Sequence, residues 1–243
     1  MTIKLSKAGK MPCESWSLEA YKTCPASFVM ALKNNSYEFI SERKELVDAC
    51  KGCYAAEGNY RFQNVKDARE HNRTDWQRDE WVDEMVVLLD NNRYFRWFDS
   101  GDMYHIKLAY KILEVMKRTE FCKHWLPTRM YKFKKFSSVI EEMQALPNVS
   151  VRFSSDSVTG RVIAGKTTST IVEGLQDIKD PDTKKLVGKV FIGVVPKGAE
   201  LCRAFERNGK CEMCRACWNK ETQVIAYPAH GNKMKRVLKE ITA

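Results

Sequence analysis

The amino-acid sequence predicts an α/β fold, specifically a (β/α) TIM-barrel-like single domain with a cysteine metal knuckle near its C-terminus. Strand and helix patterns alternate along the chain, and such alternation produces parallel strands joined by crossover helices. The length of 243 residues also matches a barrel of this kind. A doubly wound open sheet is the alternative. We therefore expect a barrel-like catalytic domain at residues 1–200 and a metal-binding segment at 201–243 packed on it.

The first β-α unit surrounds the segment FRWF. A helix is predicted before it from the spacing of apolar Trp81, Met85, Leu88 and Leu89. Tyr94 to Phe98 is predicted to be a strand, because aromatic residues favour strands. A second helix should follow, with an apolar face formed by Leu108, Ile112, Val115 and Met116.

Three more strands are predicted along the chain. FCKHWL ends at Pro127-Thr128-Arg129, and Val149 to Phe153 follows a helix with apolar residues Phe136, Val139, Ile140 and Met143. Val190 to Val195 is the third, and it ends at Pro196-Lys197-Gly198. The polar stretch from Gly160 to Lys189 should form loops or a small insertion. Its GRVIAGKT segment lacks the first glycine of a P-loop, so no nucleoside triphosphate site is expected.

The charge of the chain favours a polyanionic partner. Lysine and arginine number 41 against 31 acidic residues, a net charge of +10. Phosphates neutralised by such charges release condensed counterions, which drives binding to nucleic acid. No apolar run of about 18 residues exists, and MTIKLSKAGK lacks a hydrophobic leader, so we expect a cytoplasmic protein with no membrane partner.

The segment RMYKFKKF interleaves basic and aromatic residues. Such a surface can hold phosphates and stack bases, so it is a candidate nucleic-acid site. The same pattern also suits the start of an ordinary amphipathic helix. The candidate contacts are Arg129, Tyr131, Lys132, Lys134 and Lys135.

Four cysteines near the C-terminus have the spacing of a metal site. Cys202, Cys211, Cys214 and Cys217 give the pattern C-x8-C-x2-C-x2-C. Thiolates this close in sequence can enclose one Zn²⁺ ion or carry a [4Fe-4S] cluster. His230 is an alternative fourth ligand.

The N-terminal cysteines form a weaker pattern of Cys13, Cys24, Cys50 and Cys53. The C-x2-C pair suits a metal half-site, a redox pair or two small core residues. The usual radical S-adenosylmethionine pattern has a further cysteine four residues before such a pair, where this chain has Leu46. Chemistry of that type would therefore need an altered loop that includes Cys24.

Acidic residues follow two of the predicted strands. Asp99 and Asp102 come after one strand, Arg129 after the next and Asp156 after the third. Because reactive groups collect at the carboxyl ends of parallel strands, we expect these side chains to converge. Paired carboxylates suit displacement at a sugar carbon. Each one also suits a helix N-cap or an Asx-turn.

These residues resemble known families. Asp99-Ser100-Gly101 is similar to the Asp-Ser-Gly-Gly turn with which tRNA-guanine transglycosylases, zinc-containing barrel enzymes, hold a purine. Elements such as CYA, WFDSGD, HWLPTR, VRFSSDS and CRACW resemble, in this order, a family of short phage proteins. The chain thus resembles the phage-encoded DNA-guanine transglycosylases, which exchange guanine in DNA for a 7-deazaguanine base. The resemblance implies DNA or tRNA and a free 7-deazaguanine base as partners, in an infected host cell.

The resemblance also implies roles for individual residues. Asp99 would recognise the purine or transfer its proton, while Asp156 or Asp102 would form the covalent deoxyribosyl bond. Two departures stand out: Asp102 replaces the second glycine of the turn, and Lys123 and His124 lie where an acidic nucleophile precedes the Pro-Thr-Arg stretch. The remaining substrate-binding candidates are Ser100, Gly101, His105, Arg129, Ser154 and Ser155.

Two other functions stay open. The first is a radical-type iron-sulfur enzyme that acts on nucleic acid or a nucleotide and uses Cys24, Cys50 and Cys53. The second is a non-catalytic nucleic-acid-binding module with a structural metal. Metal content separates zinc from iron-sulfur chemistry, and loss of activity on Asp156→Ala separates an enzyme from a binding module.

Overall fold

Eight strands form one sheet in the computed structural model, which describes residues 3–7, 9–34, 36–40 and 45–242. The sheet order is β1-β2-β5-β6-β7-β8-β12-β11, and β1 alone is antiparallel to its neighbour. Two hairpins, β3-β4 and β9-β10, lie outside this sheet. The strands are β1 (Leu5–Lys7), β2 (Glu14–Trp16), β3 (Met30–Lys33), β4 (Ser36–Phe39), β5 (Tyr94–Trp97), β6 (Lys123–Thr128), β7 (Val149–Ser154), β8 (Thr168–Val172), β9 (Leu175–Lys179), β10 (Leu186–Phe191), β11 (Ala199–Leu201) and β12 (Val224–Pro228).

Six α-helices accompany the strands within the described residues. They are α1 (Asp48–Lys51), α2 (Gln63–Asp75), α3 (Trp81–Leu89), α4 (Ile106–Arg118), α5 (Ser137–Ala145) and α6 (Asn232–Thr242). Helix α4 connects β5 to β6 and α5 connects β6 to β7, so the predicted β-α alternation is confirmed for this half of the sheet. The fold is mixed α/β with a mostly parallel sheet, while closure into a barrel stays a prediction.

The main hydrophobic core lies between the sheet and helices α3, α4 and α5. Strand residues point alternately to the two faces, and Phe95 and Trp97 of β5 point into this core. The helices contribute the apolar faces expected from the sequence, including Trp81, Met85, Leu108, Ile112, Val139 and Ile140, all buried. Burial of these large side chains stabilises the packing of helices on the sheet.

The opposite face of the same strands carries polar and aromatic side chains. We call it the inner face, and it includes Arg96 of β5, Trp125 of β6, Arg152 of β7 and Tyr227 of β12. The C-terminal segment covers part of this face, because Trp218 packs against Trp125 with ring centroids 5.2 Å apart. Residues after 200 therefore complete the sheet and fill its inner face.

The structure corrects the sequence prediction after β7. Val190 to Val195 is not a strand of the main sheet, because residues up to Phe191 belong to β10, which pairs only with β9 in an antiparallel hairpin. The stretch from Gly160 to Lys189, expected to be loops or an insertion, contains β8, a central strand between β7 and β12. Its Thr-rich sequence has little apolar content, so the usual signal of a buried strand is weak there.

Within the described residues, no helix has the length and apolar composition needed to cross a membrane.

His124 is a buried neutral histidine in the core. Trp97 Nε1 donates to His124 Nδ1 over 3.2 Å, and His124 Nε2 lies 2.9 Å from the Thr119 hydroxyl. Because that hydroxyl already donates to the carbonyl of Val115, the network assigns the ring proton to Nε2. A proton on Nδ1 would face the N–H of Trp97 Nε1, so two donors would oppose each other. Burial lowers the pKa of His124 from 6.5 to about 3.

We predict that His124 lowers the free energy of unfolding as the pH falls. Between pH 6.5 and about 3 the unfolded chain binds a proton at this residue and the native protein does not. The free energy of unfolding should therefore drop by as much as about 1.4 kcal/mol per pH unit from this group as the pH falls. Urea unfolding of wild type and His124→Gln across this range checks it, since glutamine keeps a donor and an acceptor without titrating. Equal pH slopes in the two proteins would contradict the prediction.

Candidate functional site

The chain turns sharply after β5, where the first acidic residues lie. Phe98 has a positive φ of 56°, which is rare for a bulky residue and indicates local strain. Its backbone N–H donates to Trp16 O at 2.8 Å, so the turn is held against β2. The turn directs Asp99 and Asp102 into buried positions at the carboxyl end of the strand.

Asp99 forms a buried ion pair. Arg69 Nη2 lies 3.3 Å from Asp99 Oδ1, and Arg69 Nε donates to the Ser100 hydroxyl over 2.6 Å. Tyr60 also donates to Asp99 Oδ2 at 3.3 Å. The sequence gives no local signal for Arg69 or Tyr60, because neither belongs to a motif and both meet Asp99 only through the fold. Asp99 is thus already paired within the protein.

Asp102 connects two strand ends. Its carboxylate accepts from the Thr128 hydroxyl at 2.7 Å, from the Arg129 backbone N–H at 2.9 Å and from the Met103 N–H at 2.8 Å. Burial raises the pKa of Asp102 to about 6, although these hydrogen bonds favour the charged form. The group therefore titrates close to neutral pH.

Asp156, at the end of β7, is held by two cations. Arg129 Nε lies 3.2 Å from Oδ1 and Lys132 Nζ lies 2.6 Å from Oδ2. The Lys132 side chain is only 1% exposed, whereas that of Asp156 is 40% exposed. Arg129 also donates to Ser155 O over 2.7 Å. Of the four residues expected to converge, Asp102, Arg129 and Asp156 meet here, whereas Asp99 pairs with Arg69 instead.

Three cysteines lie at the same edge of the sheet. The loop after β2 contains Cys24, and the backbone N–H of Asp102 donates to Thr23 O at 3.1 Å. Helix α1 contains Cys50, and the neighbouring Ala49 N–H donates to Asp156 O at 2.9 Å. Burial raises the pKa of Cys24, and the neighbouring Cys50 and Cys53 raise it further.

Burial and the positive charges at this edge shift the pKa values of these thiols in opposite directions. Burial raises the pKa of Cys50, while the positive charges of Arg129 and Lys132 lower it. Burial also raises the pKa of Cys53, again opposed by Arg129. The two cations would therefore stabilise thiolates if a bound metal required them.

The C-terminal cysteines form a separate group on the inner face. Cys217 Sγ lies 3.0 Å from the Tyr227 hydroxyl, and Cys202 N–H donates to Ala226 O at 2.8 Å. Cys13, grouped by sequence with the N-terminal cysteines, interacts instead with Cys211 and packs against Trp218. His230 is exposed after the end of β12.

Across the part of the chain that the structure describes, no three His, Cys, Asp or Glu side chains are arranged to hold a single metal ion. The predicted zinc site and the cluster alternative both stay predictions.

The comparisons with known proteins give one result. A family model described as gene product 88, a phage-type gene product family, matches residues 2–220. The chain belongs to the gene product 88 family. No curated protein and no solved structure matches it. The expected relationship to phage proteins is thus supported, and membership of this family assigns no reaction.

In this member of the gene product 88 family, the segment RMYKFKKF forms two consecutive 3-10 turns, Met130–Lys132 and Lys134–Phe136. Lys132 is buried, so it does not lie on a nucleic-acid-binding surface as expected. Tyr131 stacks on Phe153 with centroids 4.7 Å apart. Lys134 and Lys135 are exposed, as the prediction requires.

The other substrate-binding candidates have structural partners. His105 is exposed and caps α4, since its Nδ1 accepts from Lys107 N at 3.2 Å. Ser100 donates to Leu18 O at 2.7 Å, and Ser154 O accepts from the Tyr131 hydroxyl at 3.1 Å. Ser155 accepts from the Ser157 N–H at 3.2 Å. Of these residues, only Ser155 also touches Arg129.

We predict that Gly101 is essential for the geometry of this edge. Its φ is +80°, and an added Cβ would lie 2.6 Å from both Leu18 Cβ and Thr23 Oγ1. Gly101→Ala should lose about 1–2 kcal/mol of stability for the left-handed backbone and about 1–3 kcal/mol more for the overlap. Gly165→Ala is the matched control, since Gly165 has a φ of +67° and open space around it. Denaturant unfolding checks the difference, and equal losses in both variants would refute it.

Proposed function

We propose that this protein is a radical-type iron-sulfur enzyme that uses S-adenosylmethionine and acts on a nucleic acid or a nucleotide. The observation that supports it best is that the segments carrying Cys24 and Cys50 are hydrogen-bonded, through Thr23 and Ala49, to Asp102 and Asp156 at the carboxyl ends of the parallel strands. Sites in parallel α/β sheets lie at this edge. The altered cysteine loop that this chemistry would need would be a long one, because the β3-β4 hairpin separates Cys24 from Cys50.

Three cysteines are the number and type of donor that a [4Fe-4S] cluster of this class would need. Three cysteine thiolates can ligate three of its irons and leave the fourth iron for another ligand. When bound there, such a cluster supplies the electron for reductive cleavage of S-adenosylmethionine. The neighbouring Arg129 and Lys132 would balance the negative charge of the thiolates.

The surrounding residues would position this loop. Asp102 links the loop at Thr23 to the start of the turn after β6, because its backbone and carboxylate bond to both. Lys132 Nζ donates to Ala26 O at 3.0 Å as well as to Asp156. It therefore joins the loop that contains Cys24 to the end of β7. The Asp156 side chain is 40% exposed, and the Arg129 guanidinium lies 3.2 Å from its carboxylate at the same edge of the sheet. These two groups are the best candidates to contact a bound polar substrate.

Charge supports an anionic substrate. The chain has a net charge of +10, and the exposed Lys134 and Lys135 follow directly after the Arg129 turn. Lysines beside a site attract phosphates and raise the association rate with nucleic acid. A nucleic acid or nucleotide therefore suits this edge better than a neutral substrate.

The test is metal content and S-adenosylmethionine cleavage. After anaerobic reconstitution with iron and sulfide, the wild type should absorb near 400 nm and cleave S-adenosylmethionine when reduced with dithionite. The double variant Cys50→Ala/Cys53→Ala should lose about four irons per chain, because two of the three ligands of that cluster are gone. Cys122→Ala is the control, since Cys122 is a buried core cysteine outside both groups. Iron content unchanged in the double variant would overturn the proposal.

Base exchange in DNA is the second candidate. The Asp99-Ser100-Gly101 turn lies at the correct edge, and the pKa of about 6 for Asp102 suits proton transfer near neutral pH. Against it, both oxygens of Asp156 are bound by cations and all of the Asp102 carboxylate is buried in hydrogen bonds. A nucleophile needs a carboxylate that can reach the sugar, so this candidate ranks second.

A label-exchange assay separates the two. The protein is incubated with duplex DNA and radiolabelled guanine or a labelled 7-deazaguanine base, without S-adenosylmethionine. We expect no label in the DNA, because the carboxylates are already paired within the protein. Label that enters the DNA with wild type but not with Asp156→Asn or Asp102→Asn would favour base exchange.

A further inference from the structure

The C-terminal cysteines have the spacing of a ferredoxin-type site. Cys211, Cys214 and Cys217 repeat at C-x2-C-x2-C, the spacing with which bacterial ferredoxins hold three irons of one [4Fe-4S] cluster. The fourth ligand of such a cluster comes from elsewhere in the chain, and Cys202 occupies that place here. Zinc knuckles instead supply their ligands from two separate pairs.

The fold brings the remote cysteine to the same place. Cys202 follows β11 directly and is bonded through its N–H to Ala226 of β12. The next residue of β12 is Tyr227, and its hydroxyl lies 3.0 Å from Cys217 Sγ. Tyr227 interacts electrostatically with both Cys202 and Cys217. The segments that contain Cys202 and Cys217 therefore both lie close to Tyr227.

The buried cation Arg152 lies beside Cys217 of the C-terminal cysteines. Arg152 is fully buried, and it donates to four backbone carbonyls of the C-terminal segment, at Cys217, Thr222, Ala216 and Asn219, over 2.7 to 3.1 Å. It forms no ion pair with any described carboxylate. The four carbonyl oxygens stabilise this buried charge in part, and an anionic centre next to Cys217 would balance it further.

A second cation connects the two cysteine groups. Arg96 donates to the Tyr54 hydroxyl at 3.1 Å, and Tyr54 directly follows Cys53. The positive charge of Arg96 opposes the rise that burial causes in the pKa of Cys13, Cys211 and Cys217, and its guanidinium lies 4.4 Å from the ring centroid of Trp125. Its Nε is buried and has no hydrogen-bond partner. A buried donor of this charged side chain thus has no acceptor among the described residues.

We propose that Cys202, Cys211, Cys214 and Cys217 bind a second iron-sulfur cluster on the inner face of the sheet, with Arg96 and Arg152 balancing its negative charge. This second site does not depend on the proposed function, because none of its ligands belongs to the first group. Four thiolates around one zinc ion would carry a similar charge, so the metal that is bound must be measured.

The experiment uses the full chain reconstituted anaerobically with iron and sulfide. Iron, sulfide and zinc per chain are measured in the wild type, in Cys214→Ala/Cys217→Ala and in the control Cys122→Ala. We expect about eight irons in the wild type and a loss of about four in the double variant, with the remaining cluster still visible by electron paramagnetic resonance. Full iron retention in that variant overturns the proposal, as does loss of about one zinc per chain without loss of iron.

A variant outside the ligand set tests the charge argument and guards against misfolding. Arg96→Gln should keep both clusters and make the midpoint potential of the second cluster more negative, because the reduced cluster carries one more negative charge. Arg96→Lys should restore most of the wild-type potential. An unchanged potential in Arg96→Gln refutes the role of Arg96. If the proposed function fails but this inference holds, Cys50→Ala/Cys53→Ala will retain all iron while the C-terminal variant loses it.

Discussion

The carboxylate of Asp102 is the constraint on which the edge of the sheet depends. It is buried, yet it accepts three hydrogen bonds, two of them from the end of β6. Its own backbone N–H binds the loop that carries Cys24. One residue therefore fixes the ends of two strands and the position of a cysteine loop. Burial opposes the charge and raises the pKa to about 6, so the residue is held in place at some cost in stability near neutral pH.

The two faces of the sheet have different physical roles. The outer face is apolar and packs on α3, α4 and α5, which supplies most of the buried area. The inner face carries Arg96, Arg152 and Tyr227, and it is covered by the cysteine-rich C-terminal segment. Alternation along each strand produces this division, since neighbouring residues such as Phe95 and Arg96 must point to opposite faces.

Part of this arrangement could be predicted. Strong helical periodicity identified α3, α4 and α5, and the parallel-strand rule placed Asp102, Arg129 and Asp156 together. The rule works because the carboxyl ends of parallel strands share one edge. It could not place Arg69 against Asp99 or show that Lys132 turns inward, because both depend on contacts between residues that are far apart in sequence. The threonine-rich β8 lacked an apolar pattern, and an apolar hairpin strand was mistaken for part of the sheet.

The sequence by itself determined the α/β class, the positions of the acidic residues after their strands and the spacing of the C-terminal cysteines. These are local properties, fixed by periodicity and by distance along the chain. Only the tertiary structure decided which cysteines lie together, because it packs Cys13 in one cluster with Trp218 and Cys217 of the C-terminal segment. It also decided that Asp99 and Asp156 are paired with cations, whereas Asp102 is held by hydrogen bonds. The reason is physical: burial and charge pairing arise when distant segments meet, and no local pattern records which segments will do so.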